Sequence, residues 1–171
     1  LDTRKEKGEG IGGAHRPRVL LSGCPMAIPN WNVATHIETS GALVAMDETC
    51  TGIRYFRHIV DEGVGDMDGL LDAIADRYME IDCAVFTPNH ERLEHIEEMV
   101  RRYRADGVIH YALSFCQPYT IEGFLVERAL REKGIPVLRL ETDYSQEDVG
   151  QLRTRVETFV EMLRARARAG R

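Results

Sequence analysis

No stretch of this chain approaches the ~18–20 consecutive apolar residues needed to span a bilayer. The first thirteen residues, LDTRKEKGEGIGG, are polar and glycine-rich, which is not the layout of a secretory signal. The expectation is a cytoplasmic protein with no membrane partner. Positive charge is in short supply. Twenty-two Lys and Arg stand against 28 Asp and Glu, for a net charge of −6. Nucleic acid is thereby excluded as the main partner, because phosphate binding needs a net basic face. No GxSxG, P-loop or kinase signature occurs, and the six histidines form no HxxxH or HExxH pair. Cysteine is also sparse. Cys24, Cys50, Cys83 and Cys116 are spaced by 26, 33 and 33 residues, which matches no CxxC motif or zinc finger. Without a secretory signal the thiols are expected to be reduced, as inert core residues, ligands or nucleophiles.

What is present is ordinary globular composition. The chain has 171 residues, 43% hydrophobic and 29% charged, which fits one domain burying roughly 70% of its unfolded surface without disulfides. It opens on Leu1 rather than Met and reads as part of a longer chain. Residues 1–17 read as a linker and 18–168 as a single domain. Gly8, Gly10, Gly12 and Gly13 resemble a loose GxGxG, but a dinucleotide fingerprint follows a strand and these precede the first one. They read as a flexible entry loop.

Arg18–Gly23 (RVLLSG) reads as a buried strand and 32–40 as a helix closing at Gly41. A second strand is expected over 42–46. Ile53, Phe56, Ile59 and Val60 have helical spacing. A helix over 67–80 sets Leu70, Leu71, Ile74 and Tyr78 on one side, and 83–86 is a short apolar run. Asn89 is a candidate N-cap for a helix over 90–105. Then come a strand at Gly107–Leu113, a helix over 120–133, a strand over 135–140 and a last helix capped by Ser145. This order calls for a Rossmann-like three-layer α/β/α fold with a parallel sheet of about four strands, in the order 2-1-3-4.

Open parallel sheets bind ligands outside the carboxyl ends of their strands. Cys24, Cys50 and Cys116 each follow a predicted strand, and the fourth strand ends in Glu141, Thr142 and Asp143. Residues up to 92 positions apart are therefore expected on one rim. Three converging thiolates suit a soft metal site, and both zinc and iron–sulfur clusters accept such ligands. The glycine of SGCP lets the backbone come close, and Pro25 and Pro118 stiffen the turns. The plainer alternative is that some of these cysteines are small buried hydrophobes. Cys83 reads first as a core residue, with a further ligand or resolving thiol as the alternative. His110, within a strand, reads as a hydrogen-bonded core residue. Arg54 and Tyr55 beside Cys50 read either as holders of an anionic ligand or as a surface salt-bridge region. Charge runs such as RLEHIEEMVRRYR read as solvated faces.

The segments LSGCPMAIPNWNVATHIETSGALVAMDETCTGIRYF, CAVFTPNHER and FCQPYTIEGFLVERALREKGIPVLRLETDYSQEDVGQLRTRVETFVEML together resemble the 2-hydroxyacyl-CoA dehydratase D-component family, which includes benzoyl-CoA reductase subunits and double-cubane cluster proteins. The resemblance covers about residues 18–165. It implies the C-terminal domain of a protein about twice this length, with a missing N-terminal domain. It implies an iron–sulfur cluster, [4Fe-4S] or double cubane, with Cys116 as the best-supported ligand and Cys50 and Cys24 as further ones. It also implies a paired dehydratase or reductase subunit, or a homodimer. An ATP-hydrolysing iron–sulfur activator would deliver low-potential electrons, and an acyl-CoA substrate would pass through a ketyl radical. The isolated domain is expected to be inactive, cluster-poor and prone to self-association. Two other readings stay open: a non-catalytic α/β interface or maturation module without a cluster, and a thiol–disulfide switch on the shared rim.

Overall fold

In the computed structural model, which describes residues 2–7, 10, 15–86, 88–145 and 147–169, four runs rich in Val, Leu and Ile form the strands. These are β1 (Arg18–Gly23), β2 (Leu43–Thr49), β3 (Gly107–Leu113) and β4 (Val137–Thr142). All pairings are parallel and the order is β2-β1-β3-β4, as the sequence led one to expect. The helices are α1 (Asp2–Glu6), α2 (Asn32–Thr39), α3 (Ile53–Phe56), α4 (Met67–Met79), α5 (His90–Arg102), α6 (Gln117–Glu132) and α7 (Val149–Ala169).

Successive strand residues point to opposite faces, and both faces of this sheet are covered. On one, α2 and α7 pack Val33, Ile37, Val156 and Val160 against Val19, Leu21, Ile109 and Leu140. On the other, α5 and α6 pack Ile96, Val100, Val126 and Leu130 against Leu20, Val108 and Val137. That is why β1 and β3 read as continuous apolar runs rather than alternating ones. Each such side chain contributes about 1.5–3 kcal/mol by its burial.

Several boundaries differ from the sequence reading. β2 does not stop at Met46 but continues through Asp47, Glu48 and Thr49, which pair with Leu21, Ser22 and Gly23 of β1. β4 starts at Val137, after Pro136, which has no N–H for the ladder. It runs to Thr142, opposite Leu113. α6 starts at Gln117, three residues early, because Pro118 is compatible with a first helical turn. α5 ends at Arg102, and Arg104 turns out of the helix at φ +49. Asn89 precedes α5 but does not cap it with its side chain. Its amide instead donates to the Cys83 carbonyl at 3.0 Å and to Glu122 Oε1 at 2.8 Å. Ser145 does not cap α7, which starts at Val149. Its hydroxyl accepts from the Glu147 N–H in a preceding turn.

The middle segment departs furthest. Only Ile53–Phe56 is helical, and Ile59 is exposed. α4 is capped by Asp66, which accepts from the Gly69 N–H at 2.7 Å, yet it buries no side chain. Its expected inner side, including Leu71, Ile74 and Tyr78, faces solvent. The run at 83–86 is a turn with Val85 and Phe86 exposed. In the expected linker the structure places α1. Gly8, Gly12 and Gly13 lie outside the described residues. Among the described residues no helix is long and apolar enough to cross a membrane.

Candidate functional site

Cys24 directly follows β1, Cys50 directly follows β2, and Cys116 lies three residues beyond β3. Gly23 makes the first of these positions possible. Its φ is +122, and a Cβ there would fall on the Tyr111 carbonyl. The Cys24 N–H donates to that same carbonyl at 2.9 Å. The close approach that the SGCP glycine allows is to the backbone of the neighbouring strand β3. Cys24 is buried, and its Sγ accepts from the Leu113 N–H at 3.3 Å. Burial pushes its thiol up to about 12. The Leu113 N–H works against that rise, and the neighbouring Cys116 and Cys50 add to it. Cys24 is thus within electrostatic reach of both other rim sulfurs.

Cys116 is half-buried and stands at the N-cap of α6. The dipole of this 16-residue helix favours negative charge at that end. The preceding Phe115 has φ +69, unusual for a bulky residue, and its ring is 92% exposed. Cys50 is half-buried too. Its Sγ lies 2.8 Å from the Tyr119 hydroxyl and accepts from Arg54 Nη1 at 3.4 Å. The end of β4 is engaged locally. Thr142 donates to Asp148 Oδ2 at 2.6 Å, and Asp143 Oδ1 accepts from the Ser145 N–H at 2.6 Å. Cys83 is not a core residue. It is half-buried in the turn before α5 and belongs to neither apolar cluster.

Beneath Cys50 lies a buried polar layer. On the α5/α6 face, Leu20, Met46 and Val108 are each followed two residues later by a polar side chain, namely Ser22, Glu48 and His110. Ser22 donates to Glu48 Oε2 at 2.5 Å. Arg54 donates to Glu48 Oε1 from Nε at 2.8 Å and to the Glu48 carbonyl from Nη2 at 2.8 Å. Arg92, fully buried, reaches Glu48 Oε2 at 3.2 Å and Ser22 Oγ at 3.1 Å, and its Nη1 pairs with Glu122 on α6. Arg54 Nε also lies 3.4 Å from Asp82 Oδ1, and Asp82 Oδ2 is 2.7 Å from His95 Nδ1.

Burial alone would raise the Glu48 carboxyl, but Arg92 and Arg54 outweigh it and hold it at about 2. Burial lowers Arg54 as well, and Glu48, with smaller contributions from Tyr119 and Cys50, reverses this and raises it. His110 falls to about 4, first because it is buried and second because Arg92 is near. Its Nε2 lies 3.2 Å from the Tyr119 carbonyl. A carbonyl only accepts, so the proton is assigned to Nε2. His110 is therefore the hydrogen-bonded core residue the sequence suggested.

Arg54 is neither a surface salt bridge nor free for an external anion, since it is buried and its donors are taken by Glu48, Cys50 and Tyr119. Tyr55 points outward, where Arg77 stacks on its ring at 5.0 Å. Nor is RLEHIEEMVRRYR a wholly solvated face, because Arg92 and Glu97 are buried within it.

The three rim thiols are the soft donors a thiophilic iron group takes, and Cys50 and Cys116 are partly open to solvent. In kind they fit such a group. Among the described residues no three His, Cys, Asp or Glu side chains are grouped closely enough to hold a metal ion by themselves. All four cysteines are free thiols.

Comparison with known proteins shows the family. The family model described as 2-hydroxyglutaryl-CoA dehydratase, D-component, matches residues 1–163. YjiM of Escherichia coli strain K12, provisionally named a dehydratase subunit, is 40% identical over 162 residues, covering 94% of this chain and 41% of YjiM. The (R)-phenyllactyl-CoA dehydratase beta subunit of Clostridium sporogenes is 28% identical over 128 residues, covering 74% of this chain and 33% of that protein. The beta subunit of the (R)-2-hydroxyglutaryl-CoA dehydratase of Acidaminococcus fermentans is 26% identical over 151 residues, covering 85% and 38%. The chain thus spans about two fifths or less of the length of these relatives.

Proposed function

The chain belongs to the 2-hydroxyglutaryl-CoA dehydratase D-component family, and we propose that it is the cluster-bearing α/β domain of an iron–sulfur 2-hydroxyacyl-CoA dehydratase or acyl-CoA reductase. The observation that carries this reading is the placement of Cys24, Cys50 and Cys116 just beyond β1, β2 and β3 on the carboxyl rim of one parallel sheet. Cys116, at the N-cap of α6, would hold the cluster from this chain, with Cys50 and Cys24 as further sulfur donors. When bound, a cubane with an open iron supplies both a Lewis acid and a one-electron donor.

The chain's own residues prepare the place. Gly23 lets Cys24 sit against the Tyr111 carbonyl, and Cys116 stands at the N-cap of α6, the positive end of that helix. Phe115, the exposed neighbour of Cys116, would offer apolar surface beside that sulfur to an acyl chain or another domain. Electrons would come from an ATP-hydrolysing activator, and a second subunit would complete the enzyme, as the beta-subunit names of relatives suggest.

The test is anaerobic iron and acid-labile sulfide analysis with EPR, on the full protein and its Cys116→Ser variant. About four irons per chain support one cubane and about eight a double one, and the variant should lose signal. A full protein with no iron after reconstitution would sink the reading. It would leave the second one, a subunit-interface or maturation module without a cluster.

A further inference from the structure

The sulfur of Cys50 is held from two sides by groups that the rim alone does not require. Tyr119, on the first turn of α6, brings its hydroxyl to 2.8 Å from Cys50 Sγ. Arg54, one turn after Cys50, donates from Nη1 to the same sulfur at 3.4 Å and also to the Tyr119 oxygen. The proton accounting is constrained. Arg54 has only donors. Its bond to Tyr119 occupies one lone pair of the hydroxyl oxygen, and the hydroxyl's own proton is available to the sulfur when Cys50 carries none. Cys50 Sγ can then accept two hydrogen bonds, which is what an unprotonated, metal-bound sulfur uses. The cradle cannot drift. Arg54 is fixed by Glu48 at 2.8 Å, Glu48 by Ser22 and Arg92, and Tyr119 packs beneath both guanidinium groups at 5.5 and 5.1 Å. Both Arg54 and Tyr119 are at least 95% buried.

We infer that Arg54 and Tyr119 are positioning residues that aim the sulfur of Cys50 at the rim, withdraw charge from it, and so set the reduction potential of the group it ligates. This rests on the reading of Cys50 as a ligand. Hydrogen bonds to a ligating sulfur stabilise the reduced, more negative state of a cluster, so losing one lowers the potential.

The experiment uses the full protein, reconstituted anaerobically with iron and sulfide, as wild type, Tyr119→Phe and Cys50→Ser. Tyr119→Phe removes one hydroxyl and no packing. It is expected to keep its iron and sulfide content. Its reduction equilibrium should move about fivefold toward the oxidised form, the equivalent of a hydrogen bond worth about 1 kcal/mol, or about 40 mV for one electron. The Fe–S stretching bands should move with it. An unchanged potential at full iron content overturns the inference. Loss of iron from Tyr119→Phe also overturns it, since a ligand that is merely tuned still ligates. Cys50→Ser separates the two levels. If it loses iron while Tyr119→Phe leaves the potential unmoved, the ligand reading stands and the cradle alone falls. If Cys50→Ser matches the wild type in iron and potential, Cys50 is not a ligand and both fall.

Discussion

Arg92 on α5 and Glu122 on α6 form an ion pair between the two helices of one layer, with both side chains at least 92% buried. The pair joins the helix layer to the sheet, because Arg92 also reaches Glu48 of β2. Removing one partner of a buried pair leaves the other desolvated and short of a counter-charge, which costs about 3–5 kcal/mol. Glu122→Leu is therefore expected to lower the urea unfolding midpoint sharply. Glu157→Ala, which removes an exposed i,i+4 pair with Arg153, should leave the midpoint nearly unchanged, because water screens an exposed pair. Similar losses in the two variants would show that the buried pair does not link the layers.

Acid should destabilise the fold in two stages. His110 has a folded pKa of about 4 against an ordinary 6.5, so between those values only the unfolded chain takes up its proton and stability falls as pH drops. Glu48 is held at about 2 against an ordinary 4.5, so its contribution is present above 4.5 and is lost as pH falls toward 2. Each such proton changes stability by at most about 1.4 kcal/mol per pH unit. Urea midpoints at several pH values should show a slope between pH 6.5 and 4.5 that is shallower in His110→Gln. Equal slopes would mean that His110 is not held neutral.

Gly23→Ala is expected to be among the most damaging single changes in the chain. The position combines a left-handed φ of +122 with a Cβ that would meet the backbone of Tyr111 rather than a movable side chain. Gly134 is the internal control. Its φ is also positive, at +73, but a Cβ there meets nothing within 4 Å. Gly134→Ala should cost about 1 kcal/mol. Thermal unfolding of the two variants decides it, and a Gly23→Ala protein as stable as Gly134→Ala would contradict the close approach.

The strand order and the three rim cysteines were legible because their signals are local: short β-branched runs, a Gly or Pro turn, a cysteine just beyond. The polar layer was not, although its signal was present. Arg92 lies on one helical stripe with Ile96 and Met99, and Glu122 lies on one with Tyr119 and Val126. A charged residue on an apolar stripe marks a buried charge, but a reading by hydropathy turns it outward. Its partners are also distant in sequence, with Ser22, Glu48 and His110 brought together only by the parallel sheet. α4 shows the opposite limit. Its pattern tells which side is apolar, but nothing in it tells whether this chain supplies a partner.

Alongside α6 runs a groove lined by Val85, Phe86, Ile121 and Leu125, all exposed. Phe124 and Phe115 add further apolar surface on or near the same helix. Apolar surface of this extent favours association. The chain produced alone is expected to elute as larger species with rising concentration in size-exclusion chromatography with light scattering. The double variant Ile121→Lys, Leu125→Glu should shift it toward monomer while leaving the unfolding midpoint nearly unchanged, because neither side chain is in the core. A wild-type chain that stays monomeric at every concentration would show that this face is tolerated by water. A double variant that still associates would move the sticky surface elsewhere, with the exposed side of α4 the next to alter.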